Sequence, residues 1–141
     1  MKNDFCGLTP EDLQEIILRE GFDPGSGPKA VMNFYRRGIH EFMDMENLPK
    51  SFRVWLQSRF SPGLFMPEKS EISSDLSVKY LFTAGSGRVF ETVVIPEGKR
   101  KTVCVSTQSG CRMGCRFCHT GRSGFRGNLT AGEIINQLIS V

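Results

Sequence analysis

Three of the five cysteines of this chain fall within eight residues, and this spacing restricts the local fold more than any other feature. They are Cys111, Cys115 and Cys118, spaced C-x3-C-x2-C, and Cys104 stands seven residues upstream. Three thiols on one short loop cannot all pair with one another, so a disulfide framework explains them poorly. Clustered thiolates are what a soft metal centre requires, since one loop then supplies several ligands. The sequence therefore predicts a metal centre at residues 111–118.

The spacing favours iron–sulfur over zinc. Ferredoxin-type loops use four cysteines, and structural zinc sites use paired Cys–Cys or Cys–His motifs. With three cysteines as ligands, a [4Fe–4S] cluster keeps one iron without a protein ligand, open to a small chelating molecule. A zinc site completed by His119 or Cys104 is the alternative, and it fits the spacing less well.

Residues 1–67 are predicted to form a small helical domain of three amphipathic helices. The first begins at Thr9-Pro10, where threonine can cap the helix and proline suits the first turn. The second runs from about Pro28 to Arg37, and the third follows Pro49. Their apolar and aromatic side chains recur at helical spacing, which indicates a shared core.

From about residue 70 the apolar period changes to two, which predicts a β-hairpin linker over residues 68–96. Alternation begins at Val78, residues 84–87 form a glycine-rich turn, and the return strand runs from Arg88 to Ile95. Glu91 lies among apolar residues of that strand. A carboxylate there is either a charge at a sheet edge, which periodicity alone favours, or a functional group.

Residues 97–141 are predicted to start an α/β domain, within an α+β chain overall. A strand over Lys101–Gln108 leads into the cysteine loop, and Thr130 to Glu133 forms a capping box that opens a helix. Strand, ligand loop and helix are the first βα unit of a parallel barrel or sheet, with chemistry at the carboxyl end of the strand. One unit cannot close a barrel, so we expect an incomplete reading frame.

Net charge and hydropathy bear on two classes of partner, RNA and membranes. The net charge of +3 and isoelectric point near 8.7 permit an RNA partner without requiring one. No apolar run approaches the roughly 20 residues of a membrane span. The odd cysteine count without a secretory signal pattern predicts a cytoplasmic protein and no membrane association.

The cysteine motif resembles that of the radical SAM enzymes, whose C-x3-C-x-aromatic-C signature is matched by Cys111, Cys115, Phe117 and Cys118. A closer resemblance, over residues 70–141, is to the RlmN/Cfr-type radical SAM RNA adenine methyltransferases. It is carried by four segments of the sequence. These are Glu91-Thr-Val-Val-Ile-Pro-Glu97, Cys104-Val-Ser-Thr-Gln-Ser-Gly-Cys111, Cys115-Arg-Phe-Cys118-His-Thr-Gly121 and Gly124-Phe125 with Asn128-Leu129-Thr130.

The resemblance implies a truncated partial (βα)6 barrel and methylation of an adenosine base carbon, C2 or C8, with C2 preferred. Substrates in that family are 23S rRNA and, for the C2 enzymes, certain tRNAs. The implied cofactors are a [4Fe–4S] cluster and S-adenosylmethionine, with an electron donor such as flavodoxin or ferredoxin. By matching motif, Cys111, Cys115 and Cys118 hold the cluster, Cys104 resolves a methyl-cysteine adduct through a disulfide, and Glu91 accepts a proton.

The methyl-carrying cysteine of that family has no counterpart among the five cysteines here, since Cys6 lies at the wrong end of the chain. We therefore expect the 141-residue chain alone to be inactive, and methylated RNA formed by it would refute this. Three alternatives remain open from the sequence. They are another radical SAM enzyme with a different substrate, a non-catalytic zinc-binding RNA module, and a degenerate stub without cofactor.

Overall fold

The computed structural model describes residues 2–141 and divides the chain into two compact units, residues 1–63 and residues 64–141. The domain boundaries expected from the sequence after residues 67 and 96 stay predictions. Within the described residues, no helix is long and apolar enough to cross a membrane.

The first unit is a helical bundle with a short parallel strand pair. Its helices are α1 (Pro10–Arg19), α2 (Ser26–Arg36) and α3 (Lys50–Arg59), with a 3-10 turn at Phe42–Asp44. Strands β1 (Asn3–Asp4) and β2 (Phe60–Ser61) pair in parallel. The three helices predicted from periodicity are thus confirmed, whereas the strand pair and the 3-10 turn were not predicted.

Local signals set the helix ends of this unit. The Asp12 backbone N–H donates to Thr9 Oγ1 (3.1 Å) and the Thr9 N–H donates to Asp12 Oδ2 (2.9 Å), which is a complete capping box for α1. Gly21 follows that helix with φ +74°, a conformation that favours glycine. The interior is aromatic: the Phe5 ring lies 4.9 Å from Phe34 and 5.8 Å from Phe60, centroid to centroid.

The second unit is built on an antiparallel four-stranded sheet with one long helix. Its strands are β3 (Lys69–Ile72), β4 (Val78–Thr83), β5 (Val89–Glu97) and β6 (Arg100–Cys104), paired in that order. A two-stranded ladder joins β7 (Gln108–Ser109) to β8 (Gly127–Asn128), and the helices are α4 (His119–Arg122) and α5 (Ala131–Ile139). The predicted hairpin is confirmed as β4 and β5.

The core of this unit lies on one face of the sheet. Phe82 and Phe90 are cross-strand partners with rings stacked 5.6 Å apart, and Leu129 completes the buried cluster. Phe65 and Ile134 pack against it. Because side chains alternate along a strand, residues adjacent to Phe90 point to the opposite face. Glu91 is one of them.

The strand predicted over Lys101–Gln108 is interrupted. Its first part is β6, antiparallel to β5, and its last residue begins β7, so residues 105–107 belong to no strand. All strand pairs described in residues 64–141 are antiparallel. The parallel pairing expected of a first barrel strand is therefore not formed by this segment.

Candidate functional site

The cysteine loop is closed at its base by the ladder between β7 and β8. Gln108 pairs with Asn128, Ser109 pairs with Gly127, and the Arg126 N–H donates to Ser109 O (2.8 Å). Both ends of residues 110–126 are therefore fixed at one point of the second unit. The two strands that flank the loop are two residues long each.

Two glycines are required by close backbone approaches inside the loop. A Cβ at Gly110, which has φ +70°, would lie 1.6 Å from the Gly124 carbonyl oxygen. A Cβ at Gly121 would lie 2.9 Å from the Cys115 nitrogen. No side chain fits at either place. These contacts hold the segment that carries the cysteines in a tight fold.

The three cysteines of the loop are partly buried, and none of the cysteines within residues 2–141 forms a disulfide. The Cys118 N–H donates to the Cys115 carbonyl (3.1 Å), which places these two residues on one turn before α4. Phe117, the aromatic residue of the motif, is 94% exposed. Across the described residues, no group of three or more His, Cys, Asp or Glu side chains is placed to hold a metal ion.

A cavity of about 410 Å³ lies beside the loop, on the sheet face opposite the Phe82–Phe90 core. Apolar side chains of β4 and β5 form its floor, Cys104 and Ser106 form one wall, and α4 with the residues after it forms another. Glu91 and Cys104 both line it. Its remaining lining residues are Leu81, Val89, Phe90, Val93, Gln108, Ser109, Gly110, His119, Thr120, Ser123, Gly124 and Arg126.

Strand register explains why Glu91 and Cys104 share this cavity. Cys104 is the cross-strand partner of Val93, so the two side chains point to the same face. Glu91 precedes Val93 by two residues and shares that face. Diagonal neighbours of this kind lie about 7–8 Å apart. The cavity brings these two predicted site residues together. Within the described residues, its lining does not include Cys111, Cys115 or Cys118.

Glu91 lies at a locally open position of the sheet, which agrees with the edge charge that periodicity alone favours. Strand β5 is internal, but at Glu91 it pairs only with Leu81 of β4, because the β5–β6 ladder ends at Val93. The Glu91 side chain is 37% exposed, and Lys79 Nζ lies 3.5 Å from its Oε1. Lys79 also contacts Glu71 Oε2 at 3.3 Å. Hydrogen bonding to Glu71 first, and then the charge of Glu91, raise the pKa of the Lys79 ammonium above its ordinary value. Glu91 therefore shares the positive charge of Lys79 with Glu71.

Gln137 is a functional candidate that sequence reasoning missed. It is fully buried on α5, and its side-chain amide contacts Thr92 and the backbone of Ser106, two residues after Cys104. The available signal is the Asn136-Gln137 pair, which interrupts an otherwise apolar run in this helix. Lys79 was missed because its role depends on cross-strand register.

No protein-family model matches the chain. A probable dual-specificity RNA methyltransferase RlmN from Porphyromonas gingivalis is 40% identical over 135 residues, covering 96% of this chain and 40% of the relative. A counterpart from Parabacteroides distasonis is 37% identical over 140 residues, covering 99% of this chain and 41% of the relative.

A third relative, the dual-specificity RNA methyltransferase RlmN of Sphingopyxis alaskensis, is 37% identical over 140 residues. That match covers 96% of this chain and 33% of the relative. The chain thus spans 33 to 41% of the length of these three curated relatives.

A solved structure gives the same result for the fold. The crystal structure of a radical SAM methyltransferase from Sphaerobacter thermophilus superposes with a TM-score of 0.83 at 33% identity, covering 97% of this chain and 40% of that one. The predicted fold class and the predicted resemblance are both confirmed. Over the part of those proteins that it matches, this chain is similar to the RlmN-type radical SAM RNA methyltransferases.

Proposed function

We propose that this chain is the cluster-binding part of a radical SAM methyltransferase that methylates C2 of an adenosine in 23S rRNA and in tRNA. One observation carries the proposal: the cavity that brings Glu91 and Cys104 together lies directly against a loop with three closely spaced cysteines. In this proposal the protein acts in the cytoplasm with RNA as its partner, and a flavodoxin or ferredoxin supplies electrons.

The donor set fits a [4Fe–4S] cluster by its chemistry. Cys111, Cys115 and Cys118 are thiols on one loop, and none is committed to a disulfide within the described residues. Three thiolates match the ligand number of a cluster with one open iron. The side chains do not yet form a ligand group, so binding requires the loop to close around the cluster. The Phe117 ring between Cys115 and Cys118 is 94% exposed, so its side chain has little packing to lose on such closure.

When bound, the cluster and S-adenosylmethionine supply the reducing electron and the radical chemistry that an unreactive base carbon requires. The contributions of this chain are different. Cys104 presents an exposed thiol to the cavity, and its thiolate would resolve the methyl-cysteine adduct with RNA by forming a disulfide with the adduct sulfur as the RNA is released. Glu91 presents a carboxylate that takes up the proton lost from the base carbon, and Lys79 holds that carboxylate in place. The apolar floor of the cavity suits the face of a base.

Anaerobic reconstitution with iron and sulfide tests the proposal. We expect a brown protein with about four irons per chain and a broad visible absorption band. Cys115→Ala should lose the iron and the colour. Cys6→Ala is the matched control, because Cys6 lies in the helical unit and should not affect the iron content.

Three results would contradict this function. A colourless protein with tightly bound zinc would indicate a binding module, and a protein that takes up no metal would indicate an inert chain. Iron that persists in Cys115→Ala would show that the loop is not the ligand. If the cluster forms, a longer protein containing this chain should methylate C2 of adenosine in 23S rRNA, as detected by mass spectrometry of nucleosides.

A further inference from the structure

Residues 105–107 leave the β-ladder at the point where the cavity opens. The β5–β6 ladder ends at the pair Val93–Cys104, so Glu91 has no backbone partner on that side. The Ser106 hydroxyl donates to the Glu91 carbonyl instead (2.6 Å). The Ser106 hydroxyl thus takes the place that a backbone N–H holds in the ladder.

This arrangement leaves the backbone groups of Ser106 without ladder partners, and buried backbone groups require partners. Gln137 provides both. The Ser106 N–H donates to Gln137 Oε1 (2.8 Å), and Gln137 Nε2 donates to the Ser106 carbonyl (2.8 Å). The amide thus reproduces the pair of hydrogen bonds that a neighbouring strand would make.

Gln137 also contacts the strand that carries Glu91. The Thr92 hydroxyl donates to Gln137 Oε1 (2.7 Å), and Gln137 Nε2 makes a second bond to the Glu133 carbonyl (3.2 Å). Each polar atom of the amide therefore has two partners, and the side chain is fully buried. The Gln137 amide therefore links Thr92, the residue next to Glu91 on β5, to Ser106, two residues after Cys104.

We propose that Gln137 is a positioning residue that fixes the separation of Glu91 and Cys104 across the cavity. It holds Ser106 out of the ladder, and Ser106 in turn holds the Glu91 backbone. Without the amide, the Ser106 backbone must find other partners, by returning towards β5 or by taking up water, and either change moves Cys104 relative to Glu91. The inference rests on the proposed function only for the chemical roles of those two residues.

The test measures that separation directly and needs neither cofactor nor RNA. In the 141-residue chain, Glu91→Cys is combined with serine at Cys6, Cys111, Cys115 and Cys118, so that two thiols remain at positions 91 and 104. A short bifunctional maleimide is added. After one end of the maleimide has reacted with one thiol, its other end reacts either with the second thiol of the same chain or with added free cysteine of known concentration. The ratio of the two products gives the effective concentration of the second thiol. Circular dichroism confirms that each variant is folded.

Gln137→Met should change this effective concentration by at least about fivefold, because it depends steeply on the geometry of the two groups. Asn136→Leu is the matched control. Asn136 is the preceding residue of α5, is equally buried, and bonds both backbone groups of Phe65 at 3.1 and 2.8 Å, away from Cys104. It should change the value less than about twofold.

Equal effects of the two variants, or no effect of Gln137→Met in a folded chain, would overturn the proposal. If Gln137→Met does not fold, Ser106→Ala decides. That substitution removes only the bond to the Glu91 carbonyl and should also change the effective concentration, and an unchanged value would refute the positioning role. These outcomes are independent of cluster binding, so a failed reconstitution and a failed positioning test are distinguishable.

Discussion

At the scale of single residues, the chemistry of each thiol follows from its surroundings. Cys104 is exposed at a cavity, Cys111, Cys115 and Cys118 are partly buried on a loop, and Cys6 is buried in the helical unit. Only thiolates bind metals or attack disulfides, so burial and accessibility decide which cysteines can act. Cys104 is accessible to the attack that the proposed function requires, and Cys6 is not.

Cys6 should be protected from alkylation in the folded chain. Burial, and next the nearby carboxylate of Asp4, raise the pKa of the Cys6 thiol from 9.0 to about 11. This rise lowers the thiolate fraction at pH 8 roughly 100-fold. We expect Cys6 to react with iodoacetamide at least about 100-fold more slowly in the folded chain than in urea. Cys104 should change far less. Fragment-ion mass spectrometry follows both sites, and fast labelling of folded Cys6 would contradict the prediction.

At the scale of elements, α5 shows that a helix can bury polar residues in place of apolar ones. The sequence predicted the helix and its capping box, and both are confirmed. Glu133, Asn136 and Gln137 are buried in it, whereas Leu138 is 53% exposed. Hydrophobic periodicity indicates only where the apolar side chains of a helix lie. This helix packs against irregular chain segments whose backbone groups need hydrogen-bond partners, and its polar side chains are buried because they supply them.

The parts of the candidate site that could be predicted depend on local sequence patterns, and the parts that could not depend on contacts between distant residues. The cysteine spacing and the parity of Glu91 along its strand are local properties of the sequence, so they predicted the loop and the face. The break after Cys104 depends on the partners of the Ser106 backbone, which come from Gln137, 31 residues later. No local pattern contains that contact. The counter-ion Lys79 likewise depends on the register between β4 and β5.

Glu133 should make the stability of the second unit depend on acid pH. Burial acts to raise the pKa of its carboxyl, but the Thr130 backbone N–H, the Arg88 guanidinium and the Ser86 hydroxyl outweigh burial and hold it below 4.5. A carboxyl whose pKa is lower in the folded state stabilises it above pH 4.5, and this contribution is lost as the pH falls through the folded value. Both Arg88 contacts are 3.2 Å long.

We therefore expect Glu133→Gln to lower the free energy of unfolding at pH 7 by about 1.5–3 kcal/mol, since it removes a charge-assisted hydrogen bond from a mostly buried site. The variant should also lose less stability than the parent between pH 4.5 and pH 3. Urea titrations followed by circular dichroism measure both effects. The exposed Glu68→Gln is the control and should stay within about 0.5 kcal/mol of the parent. A parallel pH dependence of Glu133→Gln and parent would contradict the assignment.

At the scale of the whole molecule, positive charge is concentrated in one stretch. Residues 99–126 contain seven Lys and Arg side chains and no Asp or Glu, although the whole chain has a net charge of only +3. That stretch runs from β6 through the cysteine loop, so it carries Cys104 and the three loop cysteines. Because phosphate contacts dominate the affinity of proteins for RNA, the charge distribution favours RNA contact at this stretch.

The salt dependence of RNA binding tests this assignment. Arg116 and Arg122 are exposed residues of the loop, and replacing both with Gln should weaken binding of the 141-residue chain to an RNA hairpin. It should also lower the slope of log affinity against log salt by about 1.4 to 1.8, from the loss of two phosphate contacts. Lys29→Gln with Arg36→Gln removes the same charge from exposed positions of α2 and should leave that slope unchanged. If the α2 pair lowers the slope and the loop pair does not, RNA contacts the helical unit and the loop is not its binding surface. An equal reduction of the slope by both pairs would mean that net charge alone governs binding. Contacts at defined positions would instead make the effect depend on which basic residues are replaced.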